Sequence, residues 1–245
     1  MKYFILSILT FISSIAFSSE SVTPTNEAEF KKVTVKITNM DENSGGTGVI
    51  LNSYPSHSII LTNKHICEGV LEEGGVVKSS EGLSIINSVR MSTFHDLCMI
   101  MVIKDLKYRT IVADSIDVQD DIFISGHPDL YPRQTVQGKY TGNMIINMVT
   151  GIRPCTPEEE ARYGLYCLLS GGVPILTPFE AWSTSAIIAP GNSGSPVFDD
   201  MGKLVALAFA GSHQGLSFGL LVPLSFIKAE LKVKRKWTRV PVKKG

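Results

Sequence analysis

Short runs of apolar residues, many of them alternating with polar ones, recur along the whole chain, separated by glycine, proline and asparagine. The runs at residues 33–37, 49–51, 58–62 and 97–103 read as strands of a first half. A second set falls at residues 122–125, 134–140, 144–150, 196–198, 204–209 and 217–221. Many short strands at this spacing predict barrels or a sandwich, not alternating strand–helix units, and the pattern alone does not choose between the two. One helix stands out at residues 223–233, where Pro223 opens the turn and Leu224, Ile227 and Leu231 share a face. The polar stretch 114–121 separates the two strand sets and marks the seam between halves.

The first residues have a pattern of their own. Met1-Lys2 precede an apolar run over residues 3–17, and Ala16 and Ser18 place small residues where a signal peptidase requires them. Residues 1–18 therefore read as a signal peptide cleaved after Ser18. A retained N-terminal anchor is the alternative, although the run is short for crossing a bilayer. No later apolar run is long enough to cross one. The 245 residues hold one large or two small cores, and 23 basic against 23 acidic side chains leave no net charge. Only the end is biased: residues 232–244 contain Lys234, Arg235, Lys236, Arg239, Lys243 and Lys244 without an acid. This tail reads as a solvated end, with weak attraction to an anionic membrane as the alternative. It lacks the interleaved aromatics of specific nucleic-acid recognition, and nothing in the sequence bears on oligomeric state.

Export makes disulfides permissible, and there are four cysteines. Cys155 and Cys167 flank a polar stretch with Pro157 and three consecutive glutamates, which reads as a surface loop closed by a bridge. No cysteine pair has the short spacing usual in a zinc site, so neither metal nor other cofactor is expected.

The densest chemistry lies in Pro190-Gly191-Asn192-Ser193-Gly194-Ser195-Pro196. Glycines on both sides of Ser193 let the backbone turn tightly, a geometry that can aim the N–H groups of Gly191 and Ser193 at one point, as an oxyanion hole requires. Upstream lie Leu61-Thr62-Asn63-Lys64-His65 and His95-Asp96-Leu97-Cys98. Alone, His65 would read as a surface histidine at a helix turn. With the three fragments in the order His65, Asp96, Ser193, it reads as a base with its orienting carboxylate and nucleophile. An α/β-hydrolase elbow is a weak reading, because Ser195 stands where that motif has glycine and the base precedes the nucleophile.

These residues give the chain a resemblance to trypsin-like serine proteases of the chymotrypsin fold, on their bacterial side. Gly191 through Phe198 resembles the nucleophile segment of glutamyl endopeptidases. Ser44-Gly45-Gly46-Thr47-Gly48-Val49-Ile50-Leu51 and Gly126-His127-Pro128 resemble strands of HtrA/Deg proteases. The resemblance implies an all-β fold of two six-stranded antiparallel β-barrels packed across a catalytic cleft, with a C-terminal helix. A linker at 19–29 would lead into a first barrel over 30–115 carrying His65 and Asp96. A second barrel with the helix would span 116–231 and carry Ser193, followed by the basic tail 232–245. The implied function is an exported serine endopeptidase with a polypeptide substrate. A protease-fold binding or chaperone-like protein, latent until a partner orders the oxyanion loop, is the alternative. Residues around Ile187, Ile188, Ala208, Phe209, Ala210 and Gly211 would form the pocket for the substrate residue before the cut. Without a charge there, the pocket favours small aliphatic side chains over glutamate. Because Cys67 and Cys98 follow His65 and Asp96 by two residues each, the triad would draw them together, as a bridge or as two buried thiols. Asn192 in place of the aspartate of digestive relatives argues against activation by a newly cut N-terminus.

Overall fold

The structure, a computed structural model, describes residues 26–211 and 218–241, and of these the side chains of 148–150, 166, 210 and 211 are not described. The expected signal peptide, residue 217 of the predicted strand 217–221 and residues 242–245 of the basic tail lie outside the described residues.

A short helix α1 (Glu27–Val33) leads into six strands: β1 (Thr34–Asn39), β2 (Gly45–Tyr54), β3 (His57–Thr62), β4 (Gly75–Ser79), β5 (Gly82–Met91) and β6 (Cys98–Val102). Helix α2 (Lys64–Glu73) intervenes between β3 and β4. Antiparallel pairing runs β1–β2–β3–β6–β5–β4 and returns to β1, which closes a barrel. Alternation along the strands turns Val35, Ile37, Ile50, Ile60, Val77, Val89 and Ile100 inward, so one side of each strand fills a common core.

The second half repeats the architecture with β7 (Asp121–Gly126), β8 (Gln134–Arg153), β9 (Val173–Thr184), β10 (Pro196–Phe198), β11 (Leu204–Gly211) and β12 (Gly219–Val222). They form a closed six-stranded barrel in the order β10-β11-β12-β9-β8-β7. Beyond the barrel, β8 and β9 continue as a two-stranded ribbon paired as far as Arg153 and Val173. At its tip sits α3 (Pro157–Ser170), where the sequence reads as a loop. The helix forms because Thr156 and Glu159 make a capping box, side chain to backbone in both directions, with Pro157 in the first turn. Arg153 adds two hydrogen bonds to Glu159 and holds its carboxyl at a pKa of about 2. The helix is kinked at Tyr163, and a Cys155–Cys167 bridge joins the residue before its cap to its last turn.

The barrels meet through a shared apolar layer. Val49, Leu61, Leu97 and Met99 of the first pack on Phe123, Phe198, Leu207, Phe209 and Val222 of the second. The chain ends reinforce this contact by crossing over. Phe30 of α1 stacks on Phe198 of the second barrel with ring centroids 4.4 Å apart. After the second barrel comes α4 (Leu224–Lys232), and then β13 (Thr238–Arg239) pairs with β5 of the first. Much of the basic tail is thus part of the fold. Arg235 makes two hydrogen bonds to the buried Glu230, and the Arg90 guanidinium lies 5.4 Å from the Trp237 ring centre.

Candidate active site

His65 lies in the first turn of α2, directly after β3 ends. Asn63, at the cap position of α2, does not cap the helix; its amide donates to the Asp96 carbonyl at 3.0 Å. Asp96 closes the 92–97 loop, shaped by the Ser92 hydroxyl accepting from the N–H groups of Phe94 and His95. One Asp96 oxygen accepts from the His65 ring Nδ1 at 2.9 Å and the other from the His65 backbone N–H at 3.1 Å. A carboxylate only accepts, so Nδ1 carries the hydrogen, and in the neutral imidazole the lone pair is then on Nε2. A Cys67–Cys98 bridge, both sulfurs in fully buried residues, joins α2 to β6 two residues beyond His65 and Asp96.

From Pro190 to Ser193 the loop has its carbonyls taken in succession. Pro190 C=O accepts from Asp129 N–H at 2.6 Å and Asn192 C=O from Ser195 N–H at 2.9 Å. Gly191 C=O accepts from the Thr47 hydroxyl at 3.0 Å, and Ser193 C=O from Thr47 N–H at 2.8 Å. The amides alternate: Asn192 N–H goes to Ala189 C=O and Gly194 N–H to Ala208 C=O. The N–H groups of Gly191 and Ser193 are left without a partner among the described residues. In a trans peptide the N–H points opposite to the carbonyl before it, so each open amide faces away from a carbonyl that is held. Positive φ angles of 82° at Gly191 and 81° at Gly194 permit this path. A side chain at Gly194 would also come within 2.1 Å of the Thr47 carbonyl.

His65, Gly191 and Ser193 border one cavity of about 500 Å³, whose other residues include Ile66, Ser44 and Glu72. The Ser193 hydroxyl donates to the Phe209 carbonyl at 3.3 Å, and among the described residues no hydrogen bond joins it to His65. Of the residues read as a substrate pocket, Ile187 is exposed and Ile188 is buried. Ile188 lies over Gly219, where an added Cβ would come within 2.4 Å of its Cδ1. Ala208 is fully buried, and the Phe209 ring belongs to the layer between the barrels. Of Ala210 and Gly211 only the backbone is described.

Three contributors escape a reading confined to catalytic residue types: Thr47, Asn63 and the Asp129 amide. Thr47 carries a signal in hindsight, a hydroxyl between glycines just before the apolar part of β2. Asp129 acts only through its backbone and has none beyond its turn context.

The sequence profile of the trypsin-like peptidase domain matches residues 46–207. No curated protein sequence matches the chain. Among solved structures, the active form of the Rv3671c protease from M. tuberculosis superposes with a TM-score of 0.66 at 15% identity, over 85% of this chain and 83% of that one. Its inactive form gives 0.62 at 15% identity, over 84% and 92%. A serine endoprotease from Yersinia pestis gives 0.59 at 18% identity, over 86% of this chain and 66% of its own. These likenesses establish the fold, and the profile, which runs from β2 to β11 and so through both barrels, shows that the chain belongs to the trypsin-like peptidase family.

Proposed function

We propose that the protein is an exported serine endopeptidase acting through Ser193, His65 and Asp96. Ser193 Oγ attacks the scissile carbonyl carbon while His65 Nε2 takes its proton, and Asp96 stabilises the resulting imidazolium. The carbonyl oxygen, now an oxyanion, is received by the open N–H groups of Gly191 and Ser193. His65 then returns the proton to the leaving amine, and water, activated by the same imidazole, releases the acyl group from Ser193. The observation that carries this reading is that the Gly191 and Ser193 amides stand open in a loop where the carbonyls of residues 190–193 and the Asn192 and Gly194 amides are paired, beside the His65–Asp96 couple. Two disulfides fit an oxidising compartment outside the cytoplasm. Uncharged Ile188 and Ala208 favour small aliphatic residues before the cut.

The second reading, a latent binding protein, draws on the Ser193 hydroxyl being turned to Phe209. Latency of the loop would call for the Pro190 carbonyl to swing into the cleft, whereas Asp129 N–H holds it. Apo serines commonly align with their base only when substrate arrives, so the protease reading is preferred. Incubation with an unfolded protein substrate, followed by mass-spectrometric mapping of new termini, tests it. Cleavage by the native chain and none by Ser193→Ala is expected; equal cleavage, or none by either, rejects it.

A further inference from the structure

We infer that Thr47 is a positioning residue that sets the oxyanion loop against the base; the inference rests on the proposed peptidase reading. Thr47 is fully buried on β2 of the first barrel, yet all three of its hydrogen-bonding groups reach out of the strand. Its hydroxyl donates to Gly191 C=O at 3.0 Å and accepts from His127 N–H at 3.0 Å. Those directions are forced, because a carbonyl can only accept and an amide can only donate. Its N–H donates to Ser193 C=O at 2.8 Å. Its C=O accepts from the Thr62 hydroxyl at 2.7 Å, and Thr62 is three residues before His65.

The consequence follows from peptide planarity. Thr47 fixes the carbonyls of Gly191 and Ser193, the two residues whose amides stand open. Each residue is thereby held on one side, and Asp129 and Ser195 hold the carbonyls preceding it. His127 opens the turn that presents Asp129 to Pro190, so the hydroxyl also supports that hold indirectly. Through Thr62 the same residue is tied to the strand end that launches His65. Base and oxyanion donors come from different barrels, and Thr47 registers one on the other. Its backbone bond to Ser193 survives any substitution other than proline; the hydroxyl is the part sequence chooses.

Thr47→Val keeps the shape and β preference and removes the hydroxyl; Thr47→Ser keeps the hydroxyl; Thr47→Ala is the fallback should valine prevent folding. Turnover is expressed per serine titrated with a fluorophosphonate, so that any unfolded fraction drops out. Thr47→Val is expected to lower kcat about 10- to 100-fold, short of the roughly 10²- to 10³-fold loss on deleting an oxyanion donor. KM should stay within about threefold, and Thr47→Ser should recover most of the rate. Affinity for a peptide boronate, whose tetrahedral adduct places an oxygen at the open amides, should fall in parallel, while the pH dependence assigned to His65 stays in place. A native rate per titrated serine in both Thr47→Val and Thr47→Ala overturns the inference alone. A wild-type protein that neither titrates nor turns over overturns it together with the peptidase reading.

Discussion

The two disulfides sit in opposite settings. Cys67–Cys98 is buried in the wall of the first barrel, between the elements that carry His65 and Asp96. Cys155–Cys167 staples a ribbon tip whose helix exposes Leu165, Leu168 and Leu169. Their sequence separations of 31 and 12 residues predict similar chain-entropy stabilisation, about 4 and about 3 kcal/mol. Similar energies in different places should therefore yield different phenotypes. Around the first bridge, and across the cleft at Thr47, backbone carbonyls and hydroxyls are tied in succession, and the Gly191 and Ser193 amides are left open. At the ribbon tip the pattern reverses, with apolar side chains in solvent and the ion pair on the surface.

The strongest way to break this contrast is at the junction's chemistry. Ser193→Ala is expected to cost on the order of 10⁶ in turnover, measured on a peptide substrate, with little change in thermal midpoint. Asp96→Asn should cost about 10⁴, since an amide donor facing Nδ1 favours the wrong tautomer; an unchanged kcat would remove Asp96 from the account. The bridges sharpen the contrast directly. Replacing Cys67 and Cys98 with serine should lower both the melting temperature and kcat/KM, the latter by at least about 10-fold as His65 and Asp96 lose register. The same change at Cys155 and Cys167 should leave kcat/KM within about twofold, and equal losses from both would contradict the division. Ile188→Gly, which uncovers Gly219, should shift preference toward larger residues before the cut by about 10-fold, read from a peptide library.

The smallest effect is a pH slope. Burial holds the His127 pKa below its ordinary 6.5, despite the ring's bond to Tyr131 C=O, and Lys36 and Arg133 push in the same direction. The unfolded chain then takes the proton first, so this stabilisation is complete above about pH 6.5 and is lost as pH falls through the depressed pKa. Denaturant midpoints should decline from about pH 7.5 to about pH 5, less steeply in His127→Asn.

Much of the fold and of the candidate site was legible because both are written in short segments. The glycine-framed turn at Ser193 and the order of the three motifs single out segments that the structure sets around one cavity, with His65 bonded to Asp96 and the Ser193 hydroxyl turned to Phe209, and most predicted strands lie within observed ones. The helices were less legible. α2 is ten residues long with Gly69 inside, and α1 has seven, too few for periodicity to speak. α3 hid behind its three glutamates, although Thr156, Pro157 and Glu159 spell a helix start. β9 was obscured by Pro174 and Pro178, which weaken a strand reading. Both lie where β9 pairs with β8 alone, and β12 joins only at residues 182–184, so neither proline costs a ladder bond on an inner strand. In α4, Leu231 was expected on the buried face with Leu224 and Ile227. It is exposed, and Glu230 is buried in its stead, because Arg235 folds back to neutralise it. The oxyanion loop's supports were the least visible: two act through backbone groups, and sequence names side chains.

The most direct test of the central claim is fluorophosphonate labelling of the intact, disulfide-bonded protein beside Ser193→Ala, with the modified peptide located by mass spectrometry. The account predicts one adduct, on Ser193, and none in the variant. Absence of labelling, or an adduct on another residue that persists in Ser193→Ala, would contradict it.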